Sequence, residues 1–399
     1  MTYEQSFFLQ ILQDYIHGNV SGIPFRGVNW SKIVQYAKEQ SVEGIVYIQC
    51  RTILRENLAA LNCLHQGFYS AVYTSENGAA AVKEIDEIFE KENIAYLPFK
   101  GEILKRYYPV PELRTMGDQD ILIHWQDCGS VDKSMGRIGY DKFVDNHAVW
   151  TYFKHNTRFE VHKDMFYEHL SNSVDYRGYF SHIWDTAVRV DDTCRYEPEP
   201  NRHFLYLICH MAKHIINKGI GFRAFLDITF MTLNEEKLDW KWITDELEKI
   251  ELLGFAKMCF AFCQRWFGVT MPLEPEQLDE NFFEEVTAKT FNDGTFGLHN
   301  DQNEGAHSAK EHRHLGMPYW KTMLFLTWKK MFPPYKDMQL IPWYSFVDGK
   351  PWLMPVAWIY RWIYTGVHKF ESSRDLLMEP FVKRDIIEKR ERYLKAWKL

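Results

Sequence analysis

A chain of 399 residues with 46% apolar and 25% charged side chains has an ordinary globular composition, long enough for two or three domains. Its net charge of −7 supplies no basic footprint, which argues against a nucleic-acid partner. Seven scattered cysteines without Cys-x-x-Cys spacing, no apolar run of bilayer length and no leader-like N-terminus argue against a disulfide scaffold, a transmembrane span and secretion, so the cytoplasm is the expected location.

Residues 1–93 read as a helical region. Apolar residues recur at helical spacing over 4–16, Ser31 is the expected N-cap of a helix over 32–40, and 64–93 carries the longest helical pattern. From residue 94 the pattern changes. A short apolar run stops at Pro98, a Lys100-Gly101 step follows, then a helix-like segment, a loop bearing Pro109 and Pro111, and finally Asp118-Gln119-Asp120 running into Ile121-Leu122-Ile123. A helix over 126–138 ending at Gly139 and three short strands near 140–144, 148–154 and 157–163 complete a small mixed sheet, with the core placed at 94–195. Residues 196–290 form a predicted helical domain. The remainder, 291–399, combines a polar loop at 292–314, expected to be mobile, with Trp-rich helices. Residues 352–364 are interrupted by Pro355 and Arg361. They read as a core or oligomer-packing helix, with peripheral membrane contact as the alternative; the oligomeric state is not fixed by the sequence.

Side chains two apart on a strand share a face, so Asp118 and Asp120 project together. Paired carboxylates repel, and divalent cations resolve that repulsion: Mg²⁺ takes oxygen ligands, commonly one or two carboxylates plus substrate phosphates. The alternating stretch from Thr157 to His162 puts Arg158, Glu160 and His162 on one face, so Glu160 becomes a third acid if its strand lies beside that of Asp120.

The stretch LPFKGEILKRYYPVPELRTMGDQDILI resembles the uncharacterised bacterial nucleotidyltransferase family, within the DNA polymerase β-like superfamily. The likeness continues through Glu160-Val161-His162, the segment His210 to His214, Gly221-Phe222-Arg223 and Asp227, covering roughly residues 90–235. Gly101-Glu102 departs from the superfamily's usual Gly-Gly or Gly-Ser. The resemblance implies an α+β fold, a small mixed polymerase β-like sheet with helical N-terminal and C-terminal regions. It also implies transfer of a nucleoside monophosphate from an NTP, ATP being the expected one, to a hydroxyl-bearing small molecule or protein, with release of pyrophosphate. Asp118, Asp120 and Glu160 would be the catalytic and metal-holding acids for two Mg²⁺ (or Mn²⁺) ions. Lys100, Gly101, Arg114 and Lys213 would serve the nucleotide, Gly101 by close backbone approach and Arg114 by a fork that suits phosphate. Against this stand a solvated Lys100 and an Arg114 paired with Glu112 or Glu102. His162, His210, His214, Arg223 and Asp227 are cleft candidates; His162 also reads as structural, an Arg223–Asp227 salt bridge is an equal alternative, and zinc at His210 and His214 lacks a third ligand. The rival reading is a catalytically silent binding module of the same fold. A kinase-like reaction ranks last, since no His-Arg-Asp catalytic loop occurs.

Overall fold

Alternating apolar residues between positions 96 and 162 build a five-stranded mixed sheet. Its strands are β1 (Tyr96–Phe99), β2 (Gln119–Ile123), β3 (Asp141–Asp145), β4 (Val149–Lys154) and β5 (Thr157–His162), in the order β1-β2-β5-β4-β3. β2 runs antiparallel to β1 and parallel to β5, and the remaining neighbours are antiparallel. The parallel β2–β5 pair needs a crossover, and α6 (Cys128–Arg137) with the β3–β4 hairpin supplies the intervening chain. The computed structural model describes residues 1–19, 27–145, 148–171, 173–295, 317–338, 346–347, 349–368 and 384–399.

One face of the sheet is apolar. Ile121 and Ile123 of β2, Phe159 and Val161 of β5 and Tyr152 of β4 pack against Ala81, Val82, Ile85 and Phe89 of the long helix α4 (Leu58–Lys91) and against Val131 and Met135 of α6. Because strand side chains alternate, the opposite face receives Asp120, Leu122, Glu160 and His162. Helix α9 (Pro200–Asn217) packs rings against that face: Tyr206 meets Phe99 edge-on at 5.3 Å. Burying one face of β2 in hydrocarbon therefore fixes which way the acids point. A one-residue slip of register would exchange the two faces.

Ahead of the sheet lie α1 (Tyr3–Ile16), α2 (Trp30–Glu39) and α3 (Glu43–Cys50). The N-cap of α2 is Asn29, whose side chain accepts from the Lys32 N–H, rather than Ser31, which sits inside the first turn. After the sheet come the short α7 (Tyr176–Phe180) and α8 (Ile183–Thr186), and beyond α9 lie α10 (Phe222–Asn234), α11 (Trp240–Lys249), α12 (Leu253–Phe267) and α13 (Glu280–Asp293); Phe222, Phe225, Phe262, Trp266 and Phe283 are buried with Trp397. These elements belong to one compact unit, residues 1–215, 219–299 and 397–399. Residues 216–218 and 300–396 form a second unit, with described helices Tyr319–Met331, Met354–His368 and Arg384–Ala396. Within it Trp362 donates to the Met331 carbonyl, while Trp352, Ile359 and Ile363 are exposed. Of the expected loop at 292–314, residues 296–314 lie outside the described residues. Among the described residues no helix is long and apolar enough to cross a membrane.

Candidate active site

β2 enters the sheet at Gln119, one residue after Asp118, so Asp118 stands at the strand's entrance and Asp120 within it. Register places Asp120 beside Glu160 on β5 and beside Phe99 on β1. Adjacent like charges on neighbouring strands are destabilising unless countered. Here two cations and a neutral donor are built in to counter them. Lys100 donates from Nζ to Asp120 Oδ1 at 2.6 Å, His162 Nε2 donates to the same oxygen at 2.9 Å, and Arg158 pairs with Glu160.

The ligand atoms of Asp120, Glu160 and His162 all lie within 4.8 Å of one another. Asp118 is outside that convergence yet close enough to feel it. Burial first, then the Asp120 carboxylate and, more weakly, Glu160 push its carboxyl up to about 6 against the pull of Lys100 and Arg158. Asp120 goes the other way: burial works against its charge, but Lys100 and the His162 hydrogen bond outweigh it and hold the carboxyl far below the carboxylate range. Burial likewise presses on the Lys100 ammonium, and Asp120, Tyr206 and Asp118 more than reverse it. Burial depresses the His162 imidazole. Since Asp120 is an acceptor, Nε2 of that neutral ring carries the proton, and Nδ1 is buried without a hydrogen-bond partner.

The donor set fits a divalent cation. Two carboxylates converge with an imidazole that steadies one of them, the arrangement that fixes the orientation of a metal-ligating oxygen.

The turn after β1 is held by a residue that sequence reasoning missed. Lys100 adopts φ 52, ψ −120, a region costing a non-glycine residue ~1–3 kcal/mol. Its backbone N–H donates to Nε2 of His203 at 3.1 Å. Burial and the nearby Arg106 and Arg114 lower the His203 imidazole to about 3, so it is neutral and has the lone pair this bond requires. His203, Tyr206, His210 and His214 lie three and four apart on α9, and their rings succeed one another along its site-facing side. That polar ladder on an otherwise apolar helix was the available sequence signal.

Gly101 follows, opening the short α5 (Gly101–Leu104), and close packing explains its identity. An added Cβ would fall 2.4 Å from Arg114 Nη1 and 2.4 Å from Met116 Sδ. Glu102, where the sequence departs from the expected Gly-Gly or Gly-Ser, pairs with Lys105 at 2.7 Å and approaches Arg195 at 3.7 Å, so its charge is countered locally.

Arg114 is not paired with Glu112 or Glu102. Its fork grips Asp227 of α10 through Nε (3.1 Å) and Nη2 (2.8 Å), and Tyr108 donates to the same carboxylate at 2.7 Å. Arg223 donates to the Thr115 carbonyl at 3.1 Å; burial and then Arg114 lower it to about 10, with Asp227 opposing. These groups tie α10 to the loop that delivers Asp118. On α9, Lys213 approaches Glu168 at 3.5 Å, burial lowering its ammonium while Glu168 supports it, and His210 and His214 face each other at 3.2 Å between their Nε2 atoms. Among the described residues, no third metal ligand joins these two histidines.

The model of a family described as an uncharacterised nucleotidyltransferase matches residues 26–268, well over half of the chain. No curated protein and no solved structure matches it. The chain belongs to that nucleotidyltransferase family and is therefore a transferase of phosphorus-containing groups, and its mixed sheet with helical flanks is consistent with a nucleotidyltransferase core.

Proposed function

We propose that this family member transfers a nucleoside monophosphate from an NTP, ATP in the first instance, to a hydroxyl of a small molecule or protein, releasing pyrophosphate. The observation that carries the reading is the convergence of Asp120 and Glu160 with His162, beside Asp118 and against the ammonium of Lys100. Asp118, Asp120 and Glu160 are the residues that would hold Mg²⁺ or Mn²⁺. Two such ions, when bound, supply charge neutralisation at the triphosphate and polarisation of the acceptor oxygen.

The chain's own groups do the rest. His162 keeps the Asp120 carboxylate in one orientation through its Nε2–H. Lys100 is placed to exchange its contact with Asp120 for one with a triphosphate oxygen, its backbone held by His203. Lys213 lies on the same helix as His203 and adds positive charge on the α9 side of the cleft. Arg114, gripped by Asp227, acts by fixing the loop before Asp118 and by packing against Gly101. Glu160, beside Asp120 on β5, would help hold the second ion and lower the acceptor hydroxyl's pKa or take its proton. Such a site works by positioning and charge neutralisation, without a covalent intermediate.

Incubation with each α-phosphate-labelled NTP and Mg²⁺ or Mn²⁺, with and without cell extract, tests this. Label should pass to an acceptor with the native protein and not with Asp120→Asn. Equal transfer by the two proteins, or no metal-dependent NTP binding by calorimetry, would sink the proposal and favour a silent binding module.

A further inference from the structure

A second feature adjoins the carboxylates. Gly117 and Asp118 form one wall of a cavity of about 250 Å³. The opposite wall is α4, which turns Ser70, Thr74 and Asn77 toward it at positions i, i+4 and i+7, one face of the helix. The tip of the β4–β5 hairpin closes a third side with Asn156 and Arg158. We propose that this cavity is the acceptor subsite and that it takes a neutral polyhydroxylated compound, a sugar ring or cyclic polyol, with one hydroxyl presented at Asp118. The inference rests on the nucleotidyl-transfer reading above and names its acceptor class.

The first argument is the lining. Its polar side chains are hydroxyls and carboxamides, and among the described residues its only charged members are Asp118 and Arg158, of opposite sign. A polyanion or polycation would find no matching field here. Lys100 and Lys213, the cations suited to a triphosphate, are absent from the lining.

The second argument is polar groups left over. Gln119 is 6% exposed and lines the cavity, and its Oε1 is buried with no hydrogen-bond partner. The Nε of Arg158 is also buried and unpartnered. Such groups cost ~1–3 kcal/mol each and are rarely left in a folded protein. One is an acceptor and the other a donor. Both atoms are closed off from the cavity in this structure; a rotation of either side chain would bring it to hydroxyls of one ring, which donate and accept.

Gly78 adds a third observation. A Cβ there would lie 2.6 Å from Gln119 Nε2, so this glycine lets the carboxamide rest against α4. A mid-helix glycine costs ~1 kcal/mol relative to alanine, and this placement is what it permits. Tyr73, exposed at the rim, offers a ring for the C–H face of a sugar.

The test uses saturation-transfer NMR with a pool of glucose, galactose, mannose and myo-inositol, on the full chain and on Asn77→Leu. A thermal melt confirms that the variant folds, and calorimetry with Mg²⁺ and a non-hydrolysable ATP analogue runs in parallel. Signal on the ring protons with the native chain, reduced ~10-fold in Asn77→Leu while nucleotide binding is unchanged, is the expected result. No signal with the native chain, or equal signal from both proteins, overturns the subsite. So does a loss of nucleotide binding in Asn77→Leu, which would make the cavity a nucleoside pocket. Failure of the native chain to bind nucleotide would refute the transfer reaction instead, and the sugar signal reads independently of it.

Discussion

Replacing Lys100 by methionine probes the electrostatic design of the site. Lys100 and Asp120 form a pair at 2.6 Å whose side chains are 16% and 4% exposed, so solvent screens it little. Methionine keeps most of the volume and removes the charge, leaving the Asp120 carboxylate buried beside Asp118 and Glu160 with His162 as its remaining partner. Breaking a buried pair from one side costs ~3–5 kcal/mol, and the retained His162 bond puts the expectation at the lower end. Guanidinium unfolding in EDTA at neutral pH should therefore show Lys100→Met about 3 kcal/mol less stable than the native chain. Adding Mg²⁺ or Mn²⁺ should return much of that loss, because a divalent cation answers the same carboxylates. The variant should also bind the metal more tightly than the native protein, whose ammonium must first be displaced, while its affinity for nucleotide falls. A variant as stable as the native chain in EDTA, or one whose loss ignores the metal, would refute this reasoning.

Asp118 makes the metal-free protein sensitive to mild pH. Its folded carboxyl sits near 6, above the ordinary 3.8, so the folded chain holds a proton that the unfolded chain has released. This contribution to stability is complete below pH 3.8 and is lost as pH rises through 6, by up to about 3 kcal/mol. Asp118→Asn should flatten that slope in EDTA, and a slope as steep as in the native chain would count against the assignment. Gly101→Ala should cost ~1–3 kcal/mol in thermal or denaturant unfolding, because Arg114 cannot yield without disturbing its grip on Asp227; a neutral effect would show that the turn relaxes freely. Asp227→Ala strips Arg114 and Tyr108 of a shared buried acceptor and should cost ~3–5 kcal/mol, with a double-mutant cycle through Arg114→Met recovering a large coupling; additive losses would mean the pair is energetically idle.

Much of the carboxylate arrangement was legible in the sequence because strands reveal themselves by period two. Alternation along residues 157–162 put Glu160 and His162 on one face, and the run Ile121-Leu122-Ile123 marked β2 as an interior strand. Parallel pairing then brought Glu160 beside Asp120. What the sequence did not show was long-range partnership. Lys100 meets Asp120 20 residues away and His203 103 residues away, and Arg114 meets Asp227 at a separation of 113. No local periodicity encodes such choices; they follow from which helix lies over which strand. His162 illustrates the same point: its spacing marked a face, but only the fold shows its Nε2 fixed on Asp120.

Helix α4 runs without interruption for 34 residues, about 50 Å, from its Asn57 cap to the back of the sheet. Its C-terminal half is cemented into the core by Val82, Ile85 and Phe89, and the same rod carries Ser70, Thr74 and Asn77 past Asp118. It acts as a strut. The wall bearing those side chains cannot hinge against the strands that carry the acids, because no loop or glycine pair breaks the helix between them. For the acceptor proposed above, selection at that wall would be that of a lock cut to a fixed shape rather than of a jaw that closes, and altering what fits there would mean recutting the exposed side of one helix.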